Sequence, residues 1–150
     1  MTAHALLYPS LGDSPTLFVN IVNPLTHKPR IFQMLVDTGA SRTCLPADRA
    51  EFLGHKNHEA GVKTTEVRGI GGKSVAFIHT LKIELIDPEG RIWRKLIPPW
   101  KSGVMPVLFV EKMETQTGIL GRDILSQWER IGFRATPRAL HSAWTIEIEL

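Results

Sequence analysis

An apolar run, Ile31-Phe32-Gln33-Met34-Leu35-Val36, stops at Asp37-Thr38-Gly39-Ala40-Ser41, and this junction constrains the chain more than any other segment. It sets a carboxylate where a buried strand breaks into a turn. Gly39 suits a tight turn, Thr38 and Ser41 offer short hydroxyls to the local main chain, and Ala40 leaves space above the acid. The expected result is one carboxylate held rigidly in a small, dry pocket. Asp, Gly and Ser are also the commonest turn residues, and Asp-Thr-Gly occurs by chance in about 3% of chains this long. Two later segments give the junction its weight: Gly69-Ile70-Gly71-Gly72, and Ile119-Leu120-Gly121-Arg122-Asp123-Ile124-Leu125.

Most of the chain reads as short strands punctuated by turns, which predicts a mainly β closed barrel or sandwich. Thr16 to Val22 and Arg30 to Val36 flank a polar, proline-containing connection, forming a hairpin that delivers Asp37. A short helical turn is expected near Ala47 to Leu53, then strands over Val62 to Val67, Ser74 to Ile86, Arg91 to Ile97 and Val107 to Val110. Asp87-Pro88-Glu89-Gly90 has the chemistry of a turn. Ile124, Leu125, Trp128 and Ile131 share one face at helical spacing, predicting a helix from Asp123 to Gly132. Trp144 to Leu150 alternates apolar and polar residues, a half-buried strand that needs a partner within the chain or across a dimer.

At 150 residues the chain can bury a core as a single domain, 1–150, without staples. Cys44 is the sole cysteine; it cannot form an intrachain disulfide and reads as a small packed hydrophobe. His55 and His58 have ligand-like spacing but no accompanying carboxylate or cysteine set, so they read as surface-loop residues and no metal or cofactor is expected. A net charge of +3 and a pI near 9.2 would suit a polyanion. The basic residues are scattered among acids, however, and the densest group, Arg91, Arg94, Lys95 and Lys101, reads as a solvated hairpin face without any nucleic-acid-binding signature. The first residues lack a signal-peptide pattern and no run reaches membrane-spanning length, so the expectation is a soluble, cytoplasmic protein without nucleic-acid or membrane partners.

Taken together, residues 36–46, 69–72 and 117–128 resemble the retropepsin-like aspartic proteases, the single-domain family of retroviral and retroelement proteases and stand-alone prokaryotic relatives. The resemblance implies the acid protease fold with one short C-terminal helix. It implies that Asp37 is catalytic, that Thr38 locks the turn across a twofold axis, and that Gly39 offers a backbone contact to substrate beside Ala40 and Ser41. Gly69, Ile70, Gly71 and Gly72 become a flap over the substrate, and Thr117 and Ile119 line its pockets. Gly121, Arg122 and Asp123 become structural, the arginine forming ion pairs and the acid capping the helix. Retroviral members often carry an Asp shortly after the position of Ala40 to receive that arginine; here Ser41 and Arg42 stand instead, so Arg122 is expected to bond backbone carbonyls or another acid.

Only one Asp-Thr/Ser-Gly is present, whereas peptide hydrolysis by carboxyls needs both a base for water and an acid for the carbonyl oxygen. Two carboxyls sharing a proton supply both. The implied protein is therefore a homodimeric aspartic endopeptidase with one Asp37 from each subunit, acting on a peptide or protein substrate. The alternative is a catalytically silent binding or dimerisation module of the same fold.

Overall fold

The computed structural model describes residues 5–10, 14–69, 72–88, 99–113, 115–135 and 144–150. Side chains that alternate between apolar and polar fit extended chain, whose successive residues face opposite ways, and the described residues are built mainly of strands. They are β1 (Leu6–Ser10), β2 (Thr16–Val22), β3 (Pro29–Val36), β4 (Cys44–Pro46), β5 (Lys63–Gly69), β6 (Gly72–Leu85), β7 (Met105–Val110), β8 (Gly118–Leu120), β9 (Arg130–Ala135) and β10 (Trp144–Glu149). Two 3-10 turns, Ala47–Arg49 and Glu51–Leu53, and one helix, α1 (Arg122–Leu125), complete the set. None of the described helices is long and apolar enough to cross a membrane.

The larger sheet runs β2-β3-β8-β4-β7-β6-β5, and a further pairing of β2 with β6 closes its first six strands into a barrel. The 14-residue strand β6 makes closure possible because successive stretches serve different neighbours. Gly72 to Ile78 pair with β5, Ala76 to Leu81 with β7, and Lys82 to Leu85 with β2. Phe77, His79, Leu81, Ile83 and Leu85, at every second position, are all buried. They meet Val19, Ile21, Met34, Phe109 and Leu120, which are sealed from solvent; each such side chain contributes about 1.5–3 kcal/mol relative to exposure.

A second sheet, β1-β10-β9, is antiparallel throughout. Tyr8, Ile146 and Ile148 pack into the barrel's core, and the Tyr8 hydroxyl donates to the Ile86 carbonyl at 2.7 Å. At the alternate positions of β10, Glu147 meets Arg130 at 3.3 Å and Arg134 at 2.7 Å, while Glu149 meets Arg130 at 3.1 Å. The strict alternation of the C-terminal segment thus has an internal explanation, with a partner strand on each side in the same chain.

The helix expected from Asp123 to Gly132 is corrected to the single turn of α1. Gln127 and Trp128 close 3-10-type bonds to Ile124 and Leu125 at 2.9 and 3.3 Å, and the chain then enters β9. Ile131 and Gly132 pair with Ile148 and Glu147, so ladder bonding to β10 overrides the helical periodicity. Ile124, Leu125 and Trp128 are still buried as that periodicity requires. His55 is likewise no plain surface residue: its ring stacks on His79 at a centroid distance of 4.4 Å. The strand expected over Arg91 to Ile97 and the end of the turn at Glu89 and Gly90 lie outside the described residues.

Candidate active site

Strands β3 and β4 flank the Asp37 turn yet do not pair with each other. Strand β8 lies between them, parallel to β3 through Met34↔Gly118, Leu35↔Ile119 and Val36↔Leu120, and antiparallel to β4 at Cys44↔Ile119. The segment from 37 to 43 must therefore cross the end of β8. That crossing explains two glycines. A Cβ on Gly118 would fall on Met34 Sδ and Leu45, and one on Gly121 would lie 2.5 Å from the Arg42 carbonyl carbon and 2.7 Å from its oxygen, distances that real side chains do not tolerate.

The turn is pinned by the strand it crosses and by the first residue of α1. Asp37 N–H donates to Leu120 O at 3.1 Å, and Arg122 N–H donates to Ala40 O at 2.8 Å. Within it, Ala40 N–H closes on Asp37 O at 3.2 Å, and Gly39 N–H donates to Asp37 Oδ1 at 2.9 Å. A Cβ on Gly39 would stand 3.2 Å from that carboxylate oxygen, a tight contact that the Asp37 side chain would have to relieve by a small shift. Asp37 is half-buried, while Thr38, Gly39 and Ser41 are exposed. The expected dry pocket is thus corrected: in one chain the turn presents an open face. The hydroxyls of Thr38 and Ser41 make no hydrogen bond among the described residues, because Asp37 itself supplies the acceptor they were expected to provide.

Behind the turn, Thr43 is fully buried and joins three segments, its carbonyl accepting from Leu108 N–H of β7 at 3.1 Å. Its N–H and Oγ1–H donate to the Asp123 carboxylate, the N–H at 3.0 and 2.9 Å to the two oxygens and the hydroxyl at 2.7 Å to Oδ1, and its Oγ1 accepts from Gly121 N–H at 3.1 Å. Asp123 is accordingly no helix cap; Gly121 holds the N-cap position, and the carboxylate instead receives donors from the far side of the turn. Within one chain Arg122 contributes through its main chain. Its guanidinium is exposed and makes no ion pair among the described residues, so its backbone, not its charge, secures Ala40. Thr43 was missed in the sequence because an isolated threonine after a turn carries no periodic signal. Its place just beyond a pinned acid, with an Asp held for it 80 residues later, is the only clue.

Asp37 lies on the wall of a cleft of about 1040 Å³. Ile119, Leu108 and Val110 supply apolar surface, and the opposite side is the β5–β6 hairpin, Thr65 to Gly69 and Gly72 to Ser74. Gly69 and Gly72 form the hairpin's last pair; Ile70 and Gly71 lie outside the described residues. Of the two residues expected to line substrate pockets, Ile119 lines this cleft and Thr117 does not. Thr117 N–H instead donates to Thr115 Oγ1 at 2.8 Å, and Thr115 takes the place in the cleft. Cys44 also faces it, with its thiol pushed up to about 11, first by burial and then by the charges of Asp123 and Asp37. A thiol so disfavoured as thiolate is a poor nucleophile. No group of three or more metal-ligating side chains occurs among the described residues.

This architecture has known counterparts. The chain is similar to a retropepsin-like aspartic protease from Rickettsia conorii, with a TM-score of 0.58 and 17% identity over 97% of this chain and 99% of that one. It is similar also to the EIAV protease solved with the inhibitor HBY-793, with a TM-score of 0.51 and 24% identity over 77% of this chain and 88% of that one. A comparison with curated proteins returned no match. The sequence model of a family described as aspartyl protease matches residues 26–124, a span that holds the Asp37 turn, the hairpin and β8. With that match covering most of the chain and the barrel shared with these enzymes, the protein belongs to the retropepsin-like aspartyl protease family.

Proposed function

We propose that the chain, acting as one domain, is a homodimeric endopeptidase in which Asp37 of each subunit forms one half of a catalytic carboxyl pair. The observation that carries this reading is the Asp37 turn itself: an acid locked from behind by β8 and Thr43 but open in front, at the wall of a peptide-sized cleft. Among the described residues the one other carboxylate lining that cleft, Glu66, is paired with cations of the hairpin, which supports a second acid supplied by a second copy. In the dimer one carboxylate takes a proton from water as the oxygen attacks the scissile carbonyl, and the protonated partner donates to the carbonyl oxygen. Collapse of the tetrahedral species then breaks the C–N bond as the amine is protonated. Thr38 and Gly39 are the exposed surface through which the two turns meet, and the β5–β6 hairpin serves as the flap over an extended peptide.

Asp37→Asn keeps the size of the side chain and removes its proton chemistry, so cleavage of a quenched peptide library should be lost while folding and dimerisation persist. Specific activity of the parent should fall on dilution through the measured dimer dissociation range. Turnover by Asp37→Asn within about tenfold of the parent, or activity indifferent to dissociation, refutes the shared pair.

A further inference from the structure

The wall of the cleft is lopsided in charge. Arg42, Arg68, Lys73 and Lys112 line it against Asp37 and Glu66. Glu66 is already engaged by the hairpin, 3.9 Å from Arg68 Nε and 3.5 Å from Lys73 Nζ. Arg42 and Lys112 are exposed and form no ion pair among the described residues. Both are anchored through their backbones. Arg42 is packed against Gly121, and Lys112 N–H donates to Ser74 Oγ at 3.0 Å. Among the described residues the cleft thus carries two cations outside any ion pair, from separate segments, together with the apolar surface of Leu108, Val110 and Ile119.

We propose that Arg42 and Lys112 are specificity-determining residues that select peptides with an apolar segment flanked by acidic side chains. This rests on the endopeptidase reading and adds the substrate's chemistry. An extended peptide turns successive side chains to alternate faces, so apolar residues can reach the apolar surface while others meet the cations. An excess of cations over anions attracts a carboxylate and repels an ammonium over the whole approach, not only at contact. Because both cations are solvated, each contact is worth a few-fold in rate, not orders of magnitude. In a twofold dimer each subunit presents the same pair, so the preference falls on both sides of the scissile bond.

The test uses three quenched peptides with one apolar centre and flanks of Glu, Gln or Lys, cleaved by the wild-type dimer at pH 6. The expected order of kcat/KM is Glu above Gln above Lys, with Glu over Gln by roughly threefold or more. That ratio should shrink toward unity between about 0.05 and 0.5 M NaCl. It should also collapse in an Arg42→Gln, Lys112→Gln double variant checked for melting and dimerisation; if that variant does not fold, the salt series on the wild type decides. Equal rates for Glu and Gln at low salt, or a ratio retained in the folded variant, overturn the preference and leave the endopeptidase reading standing. If no peptide is cleaved, that reading fails instead, and labelled forms of the same peptides binding to Asp37→Asn decide the preference. Tighter binding of the Glu peptide supports it, and equal affinity overturns it.

Discussion

The two sides of the cleft are built on opposite principles. The Asp37 turn is held by backbone bonds to Leu120 and Arg122, by the Thr43–Asp123 contacts, and by two glycines that let β8 pass at contact distance. The β5–β6 hairpin facing it has no buried residue in β5, whose only pairing among the described residues is with β6. On the proposed endopeptidase reading, catalytic geometry tolerates little displacement, and the acid stands in the over-determined wall. Substrate must enter somewhere, and the wall with little packing to lose is the one able to move. Between the extremes, the base of the hairpin is anchored where β6 runs into the barrel and His79 packs against His55 and Phe109.

The sharpest way to break this contrast is Gly121→Ala. Its new methyl would meet the Arg42 backbone at 2.5 Å, and backbone on a pinned turn cannot give way as a flexible side chain can. We expect a loss of about 3 kcal/mol in urea unfolding, with activity lost alongside it. A variant within about 1 kcal/mol of the parent would show that the turn is not wedged on β8.

The anchor is tested by pH. Burial, followed by the neighbouring His55, pushes His79 down to about 4, and burial lowers His55 against the opposing effect of the Thr80 backbone. Histidine in the unfolded chain titrates near 6.5. Between these values the unfolded chain binds protons that the folded one refuses, so stability should fall as pH drops from about 7 towards 4 and level off below that. Allowing for water's access to the rings, the change should be roughly 1–3 kcal/mol. His79→Phe should flatten that dependence in melts across the range, even though it forfeits the 2.8 Å bond to Asn57 Oδ1. Parallel curves for parent and variant would remove the histidine pair as the cause.

The smallest effect is expected at the hairpin's end. Gly72 has φ of +103°, yet a Cβ there would meet nothing within 4 Å. Gly72→Ala should therefore cost only backbone strain, about 1 kcal/mol, confined to β5 and the start of β6. Faster amide exchange in that hairpin with near-parental global unfolding is the expected signature. A global loss equal to that of Gly121→Ala would erase the distinction between the two walls.

Much of this was legible in the residues. The polar, proline-containing connection between two apolar stretches located β2 and β3 within a residue, and period-two alternation did so for β10, because turn chemistry and side-chain direction in a strand are local properties. The Asp37 turn was legible because its chemistry is contiguous. The helix past Leu125 was misread since Ile131 lies at helical spacing from Trp128, and only the ladder with β10 tells that it belongs to a strand. The role of Asp123 was misread in the same way: a cap is a local function, whereas its actual donors come from Thr43.

The sequence by itself determined the strand-rich class, the single acid-bearing turn and the glycines around it, all consequences of neighbouring residues and their backbone preferences. Tertiary structure alone decided that β8 threads between β3 and β4, that Thr43 ties the turn to Asp123, and that Arg42 and Lys112 meet on one cleft. These depend on segments about 70–80 positions apart being brought into contact by barrel closure, and no periodicity or short motif records which distant residues a closed sheet will place side by side.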